Sequence, residues 1–503
     1  MRQGRGGGRK QRHAVRAAKP IVNPSPPGGL GGAYRPLSDH DLRRIYDTAL
    51  DLLARLGMGE APDRLRGDLL AAGAEVDGKR LLFPRALTED AIAGAAKTIT
   101  LHGRDPDRTI EIGGDRVYFG TGGAAVQTLD IDTGRYRAAT LADLHDFTRL
   151  QDSLENVAWF TRCCIATDVP DNFDLDVNTA YALLRNTTKP VATAFTLAEH
   201  VPPIVELLDI AAGGPGEFSA RPFLFAHISP IISPLRYGED AVDVVYACID
   251  HNIPMSCITA AQAGATAPAT LAGFLAHSLA ETLASLVMVH AIRPGYPMVF
   301  ANWPFVVDLR SGAFAGGGGE TALMNAASAQ ISNWLGLPSG VAASMTDAKA
   351  IDAQYGAEKG LTSVAAALAG GNMISESSGM TAALLGASFE GFVLDNEMHA
   401  HSYRMLRGVE VTDETLGFDA IRDAVLGEGH FLGGQHTLEA MERDYYYPAL
   451  ADREAPVTWE ERGAEDAWTR AKARAKEILA SHHPEYLSTA QDREIRQRFR
   501  ILH

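Results

Sequence analysis

A rhythm constrains this chain more than any single motif. Short apolar, β-branched or aromatic runs alternate with helical patterns. Strands are expected near 117–120 (VYFG), 158–165 (AWFTRCCI), 190–195, 223–228, 254–259, 297–302, 338–343 and 371–375. Helical patterns lie between them, at about 141–153, 173–187, 198–212, 238–251, 268–292, 319–335 and 348–369. Such alternation means parallel strands joined by right-handed crossovers. Eight units in sequence match a (β/α)8 TIM barrel. A doubly wound open sheet is the alternative, but no GxGxxG follows the first strand, which argues against its dinucleotide-binding form.

The flanks read differently. Residues 1–33 are rich in Arg, Gly and Pro and read as a disordered basic tail. Residues 34–115 form an α/β extension, entered through Ser38 and Asp41, a weak capping box. The barrel domain is expected over 116–410 and a C-terminal helical region over 411–503, closing with an amphipathic helix at about 465–480. The apolar stretch Leu271–Ile292 contains His277, Glu281 and His290, and reads as a buried helix rather than a membrane span.

Charge narrows the function classes. Net charge is −16, although residues 1–19 hold seven Lys/Arg and no acid. An acidic body argues against nucleic-acid binding. Four cysteines without a CxxC make no disulfide scaffold and fit a reduced, cytoplasmic protein. No apolar run backs the basic N-terminus, so it does not read as a secretory signal.

In a (β/α)8 barrel the chemistry sits at the C-terminal strand ends. Those ends are rich in aromatics, amides and hydroxyls and contain no lysine, so a Schiff-base mechanism has no support. No metal site is expected: there is no HExxH, and His399 and His401 point to different helix faces. Aromatic faces attract quaternary ammonium groups, which makes Trp303, Phe305, Phe195 and Tyr355 candidates. Glu376 and Asp347 are acidic partners for a cation; Asp347 also reads as the N-cap of a helix opening at 348. Gly120 and Gly122 offer close backbone approach, and Gly316–Gly319 offer helix N-terminal amides. For each the plainer alternative is core packing, a turn or a cap.

Several separated blocks carry a resemblance. They are YRPLSDHDLRRIYDTALDLL (34–53), VYFGTGGAAVQTLDIDTGRY (117–136), GLPSGVAASMTDAKAIDAQYGAEKGLT (336–362), ALAGGNMI (367–374), SFEGFVLDNEM (388–398) and GHFLGGQHTL (429–438). In this order the chain resembles the trimethylamine:corrinoid methyltransferase family from about Tyr34 to its C-terminus. The resemblance implies a (β/α)8 barrel, a corrinoid (cobalamin) carried on a partner protein, and assembly as a homo-oligomer. Founding members carry pyrrolysine in the block that reads GVAASMTDAK here, and Met345 falls at its place. Methionine forms no adduct with a tertiary amine. The resemblance is therefore to the non-pyrrolysine branch, whose known members demethylate quaternary amines such as glycine betaine.

The implied activity is methyl transfer from a quaternary amine, glycine betaine by default, to Co(I) of a corrinoid protein. Under it, Met345 lines the pocket, with Glu376 and Asp347 as the acidic groups of the reaction site. Trp303, Phe195, Tyr355 and Phe305 hold the cation, Gln354 and His227 bond a substrate carboxylate, and Gly120, Gly122, Gly316 and Gly317 face the corrinoid. Apart from Met345 these roles come from strand-end position alone. A quaternary-amine-binding barrel without catalysis, a barrel enzyme of other chemistry, and trimethylamine as substrate stay open at this stage.

Overall fold

The computed structural model describes residues 23–503. The basic stretch before them, expected as a disordered tail, lies outside the described residues. Among those described, eight parallel strands join one sheet: β1 Tyr118–Phe119, β2 Phe160–Thr161, β3 Val191–Thr193, β4 Leu224–Ile228, β5 Met255–Thr259, β6 Met298–Asn302, β7 Ser339–Ala342 and β8 Met373–Ser375. A helix follows each: α1 Leu141–Asp152, α2 Asn172–Asn186, α3 Val201–Ala212, α4 Glu239–Asp250, α5 Leu271–Ile292, α6 Gly319–Trp334, α7 Ala353–Leu368 and α8 Phe389–Arg407. All eight strands fall inside the segments expected from the sequence.

The sheet runs β1-β8-β7-β6-β5-β4-β3-β2, each strand parallel to its neighbour. It curls until its edges touch. Gly120 forms a parallel bridge with Trp159, and the Ala158 N–H donates to the Phe119 carbonyl at 2.8 Å. Gly120 permits this contact: a Cβ there would lie 2.1 Å from the Trp159 indole.

Period-two alternation splits each strand between two cores. Val117, Phe119, Val341 and Ile374 pack on α6, α7 and α8 through Ala326, Ala329, Ala366, Ala367 and Tyr403. The alternate residues Tyr118, Ala192, Phe225, Val299 and Met373 form an inner core with Trp159. These five lie early in their strands, and the hairpin Ile99–Leu101/Ile110–Ile112 joins them through Ile99, Leu101, Ile110 and Ile112. The N-terminal end of the curled sheet is thereby plugged. Helix α5, long and apolar enough to cross a membrane by composition, is 89% buried over its most apolar stretch.

The expected tail boundary at residue 33 is corrected. Gly28 and Gly29 exchange backbone hydrogen bonds with Val117, and Gly32 and Tyr34 donate to the Leu368 carbonyl. A Cβ on Gly31 would lie 2.4 Å from the Ala367 oxygen. Here glycine serves close backbone approach rather than looseness. The C-terminal region is helical as expected, and its helix Ala467–Ser481 packs on α8 and α1.

Replacing Gly120 with alanine forces Trp159 or β1 to shift. We expect a loss of about 1–3 kcal/mol, read as a lower urea midpoint with an unchanged m value.

Candidate active site

The loops beyond the C-terminal strand ends build two small sheets. Gln127–Leu129 and Tyr136–Ala138 after β1 join Met380–Thr381 and Gly386–Ser388 after β8; Gln262–Ala263 after β5 joins Phe305–Val307 and Phe314–Ala315 after β6. The site lies beneath them.

One wall is apolar. Met345 and Trp303 share a cluster with Ile258, Ala301 and Ala342, and the half-buried Phe305, Phe314 and Leu384 pack against it. Phe305 meets Phe314 edge-on at 4.7 Å between ring centroids. Trp303 meets His227 edge-on at 5.9 Å. Met345, Trp303, Phe305 and His227 are thus brought together as the sequence suggested. Burial, with a smaller push from the Arg162 charge, drives His227 down to a pKa of about 3, so its ring is neutral.

Polar atoms without partners gather at the same end. His227 Nε2, Thr259 Oγ1, Asn302 Oδ1, Trp303 Nε1, Ser344 Oγ and Glu376 Oε2 are buried and lack a hydrogen bond. Buried polar groups are normally paired, so this concentration on five strand ends marks a place built for a polar ligand or water.

Glu376 is the most unusual member. It follows β8 with φ +63°, a left-handed conformation that side chains disfavour. Its carboxyl group lies against the β1 turn: a Cβ on Gly122 would sit 2.7 Å from Oε1, and one on Gly123 would sit 2.9 Å from Oε2. Burial raises its pKa to about 8, opposed by the Gly123 N–H and the Lys359 charge. It is therefore a neutral acid near pH 7 that a bound cation would ionise.

Arg162, directly after β2, was missed in the sequence. Half-buried, its side chain has no hydrogen-bond or ion-pair partner among the described residues. Burial lowers its pKa, with Asp176 and then Cys164 opposing. Asp176 is already engaged by the Thr196 N–H and hydroxyl and by His200. The signal that could have found Arg162 is a lone charge inside the apolar run AWFTRCCI.

Other expected residues sit elsewhere. Asp347 is neither an N-cap nor a free acid: its carboxylate accepts the Gly316 N–H at 2.7 Å and the Gly317 N–H at 3.4 Å. Those two amides are consequently committed, and Gly317 abuts Glu358, so neither glycine is an open face for a corrinoid. Helix α7 opens at Ala353, capped by Asp352. Gln354 is exposed and donates to Glu358 along its own helix. Tyr355 lies between α7 and α8, its hydroxyl donating to Asp395 at 2.9 Å and its ring 5.0 Å from Lys359 Nζ. It holds an internal cation, apart from Trp303. Phe195 belongs to the helix-side core and makes no ring contact with Trp303. Gly120 carries Trp159, and Gly122 carries Glu376.

Behind Glu376 stands a buried ion pair. Lys359 Nζ lies 2.6 Å from Asp395 Oδ2, both side chains fully buried. Asp395 also accepts the Gly379 N–H at 2.7 Å. This ties α7 and α8 to the turn after β8 that carries Glu376.

A curled parallel sheet that gathers apolar and unpartnered polar side chains at its C-terminal end defines a class: enzymes acting on a small molecule at that end. The family comparison makes the class specific. The trimethylamine methyltransferase (MTTB) family model matches residues 5–500, and the chain belongs to that family. It is a methyltransferase. Glycine betaine methyltransferase of Desulfitobacterium hafniense (strain Y51) is 29% identical over 469 residues, covering 93% of this chain and 97% of that protein. Trimethylamine methyltransferase MttB of D. hafniense (strain DSM 10664 / DCB-2) is 31% identical over 461 residues, covering 91% of each chain. The MttB of Methanosarcina barkeri (strain Fusaro / DSM 804) is 28% identical over 448 residues, covering 88% and 90%.

Lys359→Met leaves Asp395 buried without its charge partner. Unfolding free energy should fall by about 3–5 kcal/mol, and by much less in the double variant Lys359→Met/Asp395→Leu, as urea titration of both will show.

Proposed function

We propose that this methyltransferase removes a methyl group from a quaternary amine, glycine betaine in the first instance, and passes it to a corrinoid held by a partner protein. We read the curled sheet as a (β/α)8 barrel whose mouth receives both. The observation that carries the reading is the pairing of an apolar Trp303–Met345 wall with a single buried acid, Glu376, whose second oxygen is unpartnered.

The chemistry asks little of the protein beyond placement. Reduced corrinoid supplies a strongly nucleophilic Co(I). As the methyl carbon–nitrogen bond breaks, its electron pair stays on nitrogen and a neutral tertiary amine leaves. No proton has to be delivered, in keeping with a His227 held neutral. The positive charge of the substrate disappears along the way, so a carboxylate clamped on it would favour the ground state. An aromatic wall attracts the cation more gently. Glu376, neutral until the cation arrives, adds one charge at the back of the site. Met345 contributes volume and an apolar surface rather than a reactive group. A carrier-borne corrinoid would meet the apolar rim formed by half-buried Phe305 and Phe314, which pack on the Trp303–Met345 wall.

Two relatives point to different amines, one named for glycine betaine and one for trimethylamine. Trimethylamine would have to leave as an amide anion unless first protonated or captured, and Met345 can do neither. Purified protein should be incubated with reduced cob(I)alamin and a panel of betaines, with trimethylamine included, and the demethylated amine measured by mass spectrometry. Dimethylglycine from glycine betaine, without turnover of trimethylamine, is the expected outcome. Turnover of trimethylamine alone, or of no amine even with candidate carrier proteins, overturns the reading.

The pKa of Glu376 predicts a pH profile. Below about pH 8 the free enzyme holds a proton that cation binding must expel. kcat/KM should therefore rise toward pH 8 and level off above it, and the rise should vanish in Glu376→Gln. Trp303→Ala should raise KM about five- to thirty-fold by loss of the aromatic face.

A further inference from the structure

We infer that Arg162 is the carboxylate anchor of this site, so that the enzyme selects quaternary amines bearing a carboxylate over those that do not. The inference rests on the proposed quaternary-amine reading and adds the second pole of the ligand.

Three observations place Arg162. It is the first residue beyond β2, at the same end of the sheet as Trp303, Met345 and Glu376. Its charge is felt by His227, which itself touches Trp303. Its side chain has no hydrogen-bond or ion-pair partner among the described residues, and the acid that acts on it most strongly, Asp176, is committed to Thr196 and His200. Its half-buried guanidinium therefore keeps its five donors open to a ligand or to water. Its planar fork suits a carboxylate in two-point contact.

The sheet order supplies the span. Arg162 follows β2 and Glu376 follows β8, and β1 lies between them. Adjacent strands are about 4.8 Å apart, so the two stems are separated by roughly 10 Å. The intervening turn is Gly120-Thr121-Gly122-Gly123. Thr121 is turned to the Thr161 backbone, accepting from its N–H and donating to its carbonyl. No bulky β1 side chain separates the stems. A base and an acid reaching over a glycine turn suit a zwitterion, with the carboxylate toward Arg162 and the ammonium toward Glu376 and Trp303.

The test is calorimetric titration of wild type, Arg162→Gln and Arg162→Lys with glycine betaine, choline and acetate, together with thermal melts of each. Choline carries the same trimethylammonium group without a carboxylate, and acetate carries the carboxylate alone. The anchor predicts that Arg162→Gln weakens glycine betaine about ten- to hundred-fold, abolishes acetate binding and leaves choline unchanged. Arg162→Lys should recover part of the glycine betaine affinity. Equal glycine betaine affinity in wild type and Arg162→Gln overturns the anchor, as does an equal loss for choline. The two readings fail separately: acetate bound by wild type and lost in Arg162→Gln upholds the anchor even where no amine is demethylated, whereas amine turnover that ignores Arg162 upholds the methyltransfer reading alone.

Discussion

Everything at the mouth depends on the contact between β1 and β2. A parallel sheet left open has two edges, and its strand ends face outward along a ramp. Here the bridge from Gly120 to Trp159 draws the edges together, and strand ends far apart in sequence come to face one another. Residues 162 and 376, on strands toward opposite ends of the sheet order, are brought to the two sides of β1 by that contact. Its physical basis is the absence of one atom, the Cβ that residue 120 lacks.

Around that closure the molecule separates two kinds of work. The helix-facing side of the strands is alanine-rich and tightly packed, so α6, α7 and α8 lie close to the sheet. The mouth-facing end carries buried polar atoms with unspent hydrogen-bonding capacity and one glutamate in an unfavourable backbone conformation. Such groups detract from stability. The buried Lys359–Asp395 pair fixes the frame on which they are held, by tying two helices to the turn that carries Glu376.

The fold was legible because its signals are local. Each strand is a short β-branched or aromatic run, and each helix has its own apolar period; both survive without knowledge of the partner. Placement was legible where it follows from strand-end position, as for Trp303, Met345, His227 and Glu376. It was illegible where a long-range partner decides. Asp347 reads as a cap from its neighbours, but the Gly316 amide, 31 residues earlier, claims its carboxylate. Tyr355 reads as a free aromatic until Asp395, 40 residues later, fixes its hydroxyl. Arg162 is the converse: its significance lies in having no partner, which no sequence displays. The glycines at 28–32 look like a linker by composition and are a packing surface in three dimensions.

The hairpin at Ile99–Ile112 gives the architecture a direction. The far end of the sheet is stoppered by apolar side chains, whereas the opposite end keeps buried polar groups unspent. One end of the same eight strands is given over to holding the molecule together, and the other is left with bonding capacity for something that is not protein.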